Sequence, residues 1–106
     1  MDYFRVEVER RNGVAVLRAV GELDLASKSQ LSDAIDAAAS AHAVVVDLDR
    51  VSYFDASGLR VLLHARDNAV ARGSSFTVRR APRIVRTVLE LVGELDLLDD
   101  EPQPAT

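Results

Sequence analysis

Apolar and charged residues alternate through Phe4-Arg5-Val6-Glu7-Val8-Glu9, the pattern of a strand with one buried and one wet face. Arg11-Asn12-Gly13 follows, and Asn-Gly predicts a tight hairpin because both positions tolerate positive φ. Residues 14–20 return as a second strand, almost continuously apolar and therefore deeper in the sheet. The spacing then changes. Leu31, Ala34, Ile35 and Ala38 recur at i, i+3, i+4 and i+7, which predicts a helix ending near Ser40, with Ser27 and Gln30 forming a capping box at its start.

Residues 44–48, Val-Val-Val-Asp-Leu, predict a third strand, followed by a short polar link. Helical spacing resumes behind Asp55-Ala56-Ser57-Gly58-Leu59. This second helix is expected to reach about Arg72 and to bury Leu59, Leu62, Leu63, Ala69 and Val70, with Ala65 and Ala69 allowing close approach to the sheet and Gly73 as its stop. Residues 75–79 predict a fourth strand. Pro82 suits the first position of a third helix with Ile84, Val85, Val88, Leu89 and Val92 on its apolar face and Gly93 at its end. Residues 95–98 form a last short element closing the core, and residues 99–106, with two prolines and three acids, read as a disordered tail.

The order is therefore ββαβαβα: an α/β domain with a mixed four-stranded sheet, its first strand antiparallel and the rest parallel, and three or four packed helices. Residues 1–98 make one domain, and 106 residues suffice for a single core without staples. The composition, 48% hydrophobic and 28% charged, is that of a soluble globular protein. A net charge of -4 speaks against general nucleic-acid affinity and leaves protein binding as the default. Cysteine is absent, which excludes disulfides, zinc–cysteine sites and thiol catalysis. No leader-like segment opens the chain and no apolar run reaches membrane-spanning length, so a cytoplasmic protein with no membrane partner is expected.

Parallel sheets present functional loops at the carboxyl ends of their strands. Residues 21–27 and 49–58 should therefore lie side by side as one patch, with Asp55 as N-cap of the second helix at the positive end of its dipole. Ala56, Ser57 and Gly58 fill the first turn, where small residues leave backbone N–H groups open.

A Val-rich strand ending in Asp-Leu, then an aromatic residue, then Asp-x-Ser-Gly-Leu opening a helix, resembles the STAS domain of bacterial anti-sigma factor antagonists. Gly21-Glu22-Leu23-Asp24 upstream, and Ala81-Pro82-Arg83-Ile84-Val85-Arg86 with Gly93 downstream, are also similar to that family and follow its order, so the resemblance spans about residues 4 to 98. It implies a STAS-type fold and a protein that binds an anti-sigma factor of the serine kinase type, releasing a sigma factor for transcription. The contact patch it implies is Asp24, Asp55, Ala56, Ser57, Gly58 and Leu59. The family's phosphorylated serine follows the motif aspartate; here that position is Ala56, and Ser57 one place on is the candidate phosphorylation site. No catalytic residue, metal or cofactor is assigned, direct nucleic-acid contact is not expected, and the free protein is expected to be a monomer. The alternative is a STAS-type sensor or scaffold module that binds a small ligand, a nucleotide or a signalling assembly.

Other chemistries find less support. Asp47, Asp49 and Asp55 resemble the acids of a receiver-type magnesium site, but Lys28, the only lysine, stands at the start of the first helix rather than after a later strand. His42 and His64 are isolated from any ordered nucleophile, and both read as surface residues. Arg79, Arg80, Arg83 and Arg86 read as a solvated basic cluster, and Tyr53 and Phe54 as core and rim packing.

Overall fold

The computed structural model describes residues 3–98, so the tail expected at 99–106 lies outside the described residues. Strands β1 (Arg5–Arg11) and β2 (Val14–Leu23) pair antiparallel around Asn12 (φ 53°) and Gly13 (φ 81°), the two positive φ values that an Asn-Gly hairpin requires. Helix α1 (Lys28–Ala37) leads to β3 (Ala43–Phe54), α2 (Ala56–Ala71) to β4 (Ser75–Arg79), and α3 (Arg83–Leu91) to a 3₁₀ turn at Leu95–Leu97. The sheet order is β1-β2-β3-β4, with β2, β3 and β4 mutually parallel. Element order, sheet type and strand directions are those expected from the sequence.

One apolar cluster holds the layers together. Ala15, Leu17, Ala19 and Leu23 of β2, Val44, Val46 and Leu48 of β3, and Phe76 and Val78 of β4 meet Leu31 and Ile35 of α1, Leu62, Ala65 and Ala69 of α2, and Val85 and Leu89 of α3. Each leucine taken fully out of water contributes roughly 1.5–3 kcal/mol. The alanines of α2 keep that helix close to the sheet, as their spacing predicts. Arg66 of α2 reaches Glu94 at 2.7 Å, tying this helix to the segment behind α3, and that hydrogen bond holds the Arg66 guanidinium above its ordinary pKa.

Four expectations need correction. Val70 is exposed on the outer side of α2, and Ile84 of α3 and its C-cap Val92 are also exposed, because α3 packs through Val85 and Leu89 with Val88 partly buried beside them. Pro82 is the N-cap of α3, one place earlier than expected, and its carbonyl accepts from Val85 and Arg86. The Ser27–Gln30 capping box does not form: Gln30 instead donates to the Phe4 carbonyl at 3.3 Å.

The largest difference lies in β3, which continues through the expected polar link to Phe54. Its pairing with β2 passes from Arg18↔Asp47 to Val20↔Arg50, and from Gly21↔Val51 to Glu22↔Tyr53, so β3 carries one extra residue at each step. These are bulges. They turn Arg50 and Ser52 outward and bury Val51, whereas an uninterrupted period of two would aim Arg50 and Ser52 at the core.

Candidate functional site

Beyond the carboxyl ends of β2 and β3 the chain forms an open groove of about 590 Å³ lined by Glu22, Asp24, Leu25, Ala26, Tyr53 and Asp55. The two segments 21–27 and 49–58 do meet there. Three of the six lining residues are acids, and two others, Leu25 and Tyr53, are 69% and 44% exposed. A rim of carboxylates around apolar surface suits a protein face that brings basic and apolar groups together.

The wall formed by residues 22–27 is fixed by its own polar groups. Ser27, almost fully buried, donates its hydroxyl to the Glu22 carbonyl at 2.6 Å and accepts the Asp24 N–H at 2.9 Å. The Asp24 carboxylate in turn accepts the N–H groups of Ala26 and Ser27 at 3.0 and 3.1 Å. Asp24 thus shapes the turn and remains part-exposed at the groove. Ser27 was legible only as a helix cap; its real partners are the backbone groups of this turn.

The opposite wall comes from the β3–α2 junction. Asp55 is extended (φ −134°, ψ −170°), and its carboxylate accepts the Ser57 N–H at 2.9 Å, the N-cap bond that its position predicts. Ala56 is exposed, while Ser57 and Leu59 are half-buried. Gly58 is buried, and a Cβ built there would lie 2.8 Å from Leu23 Cγ and 2.9 Å from Phe54 Cε1. Glycine therefore lets the first turn of α2 sit directly on the ends of β2 and β3. Asp55, Ala56, Ser57 and Leu59 share that turn, with Asp24 across the groove.

Leu25 lines the groove although nothing in its sequence spacing singles it out, and Tyr53, expected to pack, lines it as well. Only Phe54 of the aromatic pair is buried, as adjacent residues on one strand face opposite ways. Asp47 and Asp49 do not converge on Asp55: Asp47 is buried and paired with Arg80, and Asp49 is exposed. Among the described residues no group of three or more His, Cys, Asp or Glu is placed to hold a metal ion. His42 and His64 are both exposed.

Residues 6–99 match the family described as "Mlab, STAS domain". The anti-sigma-F factor antagonist RsfB of Mycobacterium tuberculosis is 33% identical over 94 residues, which cover 87% of this chain and 76% of that protein. The crystal structure of an anti-sigma factor antagonist from Mycobacterium paratuberculosis superimposes with a TM-score of 0.81 at 27% identity, covering 96% of this chain and 88% of the other. The anti-sigma factor antagonist SpoIIAA in its unphosphorylated form shares the fold with a TM-score of 0.77 at 23% identity, over 95% of this chain and 90% of that one. By match length and by identity alike, this chain belongs to the STAS domain family.

Proposed function

We propose that this protein is an anti-sigma factor antagonist: it docks an anti-sigma factor of the serine kinase type on the groove at the carboxyl end of its sheet, and so frees a sigma factor for transcription. The observation that carries the reading is the convergence of the Asp24 turn and the Asp55-capped start of α2 around one acidic, partly apolar groove. The names of the mycobacterial relatives support it. A groove this open encloses a small molecule poorly, which favours a protein partner over a ligand-sensing role. The contacts fall to Asp24, Asp55, Ala56, Ser57 and Leu59, with Gly58 setting the seat of the helix. The partner brings the kinase chemistry, and no catalytic role falls to these residues.

Ala56 stands where the resembled family carries its phosphorylated serine, so a kinase docked in the usual way finds no hydroxyl there. Ser57 lies about 100° further around the helix, half-buried, with its own N–H committed to Asp55. In this reading the protein stays in its binding form. A phosphate at this turn would add roughly −1.5 to −2 charges to a groove already lined by Glu22, Asp24 and Asp55. The test is a titration of the purified protein with candidate serine-kinase anti-sigma factors, with and without ATP, followed by mapping of any phosphate. Saturable binding to one of them without phosphate incorporation is expected. Absence of binding to all would overturn the docking reading, and stoichiometric phosphate on Ser57 would overturn the permanently competent state.

A further inference from the structure

The groove's second wall depends on a strand end that bends twice before it reaches Asp55, and the first bend is held by a polar contact outside the groove. Asp47 is 3% exposed and lies on the sheet face opposite the apolar cluster, in register with Arg18 and Arg79. Its Oδ1 accepts the N–H of Asp49, two residues on and inside the first bulge, at 2.9 Å. Its Oδ2 accepts from Arg80 twice, from Nε at 3.0 Å and from Nη2 at 2.6 Å. Arg80 follows β4 in the left-handed region at φ 54°, a conformation that disfavours a residue with a side chain. That strain is retained where the guanidinium meets the buried carboxylate.

We infer that Asp47 and Arg80 form a positioning pair for the groove: Arg80 orients the Asp47 carboxylate, the carboxylate holds the Asp49 N–H, and the bulge so located aims residues 50–55, carrying Tyr53 and Asp55. Burial of Val51 and exposure of Arg50 favour a bulged strand, but they do not decide where the extra residue sits. The Asp47–Asp49 bond closes within the bulge that the β2 pairs Arg18↔Asp47 and Val20↔Arg50 bracket, and β4 no longer pairs with β3 beyond Asp47↔Arg79, so no neighbouring strand on that side adds a constraint. Loop and strand ends so held respond to loss of one side chain by local opening rather than global unfolding. The consequence for binding rests on the docking reading above; the consequence for the strand end does not.

Arg80 rather than Asp47 is the residue to replace, since an altered buried carboxylate risks the whole fold. Arg80→Gly removes the guanidinium while accepting the left-handed backbone, and Arg80→Lys keeps a charge without the fork. Backbone amide hydrogen exchange, read residue by residue by NMR, is the primary measurement. In Arg80→Gly, exchange at Asp49 and across residues 50–57 is expected to rise about tenfold or more, with residues 14–20 and α1 unchanged, and Arg80→Lys should recover part of the protection. Unchanged exchange at residues 49–57, or faster exchange spread evenly over the sheet, would overturn the inference. Binding is then compared using the anti-sigma factor that the wild-type protein binds in the titration, and Arg80→Gly is expected to bind about tenfold more weakly because a supporting contact is lost. Equal affinity would overturn the groove-positioning role. A wild-type protein that binds no anti-sigma factor would refute the docking reading alone, leaving the exchange result to judge the pair.

Discussion

The two halves of β3 are built on different principles. Residues 44–48 are all buried, 44–47 pair with β2 on one side and β4 on the other, and Val44, Val46 and Leu48 enter the core. Residues 49–54 pair with β2 alone, carry both bulges, and alternate buried Val51 and Phe54 with exposed Asp49, Arg50, Ser52 and Tyr53. The first half is over-determined by packing on every side. The second is held by one neighbouring strand, two apolar anchors and a few side-chain hydrogen bonds, and it is the half that presents the groove. Core replacements should therefore lower global stability, while replacements around the groove should change its shape at smaller cost.

The largest effect is expected from Leu62→Ala, which empties a fully buried position under α2; a loss of about 2–5 kcal/mol in urea unfolding is predicted. Gly58→Ala comes next, because its Cβ would press on Leu23 and Phe54, which have little room to yield. A cost of about 1–3 kcal/mol is expected, together with altered near-ultraviolet or NMR signals from the aromatic end of β3. Asp55→Ala removes the N-cap bond to Ser57 and should cost about 1 kcal/mol, visible as a lower unfolding midpoint with native core signals. Should Asp55→Ala destabilise as much as Leu62→Ala, the division between the two halves fails. Smallest of all, Arg5→Ala on the outer strand breaks only an exposed pair with Glu7 and should stay within about 0.5 kcal/mol of wild type by the same unfolding assay.

The same contrast separates what the sequence reveals from what it hides. The hairpin at Asn12-Gly13, the nearly continuous apolar run of β2, the stripe of α1 and the cap at Asp55 are local or regular in pattern, and each is legible from residue type and spacing. The end of β3 is not: its core-facing residues Leu48, Val51 and Phe54 recur every third position rather than at a strand's period of two, so the segment reads as a polar link. Ser27 misleads for another reason. Its spacing to Gln30 fits a capping box, yet the Glu22 carbonyl and Asp24 N–H lie within reach once the turn closes and take both capacities of its hydroxyl. Of the groove, Asp55 is legible as a helix cap and Asp24 through the family resemblance; Leu25 is not singled out by its spacing, and Tyr53 reads as packing, until the topology turns both outward.

The claim that the groove is where a partner docks is tested most directly by titrating isotope-labelled protein with its anti-sigma factor and recording which backbone amides shift. The account predicts the largest changes at residues 22–27 and 53–59, with the Asn12-Gly13 turn and the start of β4 unmoved. Changes centred on the hairpin or on the outer face of α3, with the groove silent, would contradict it.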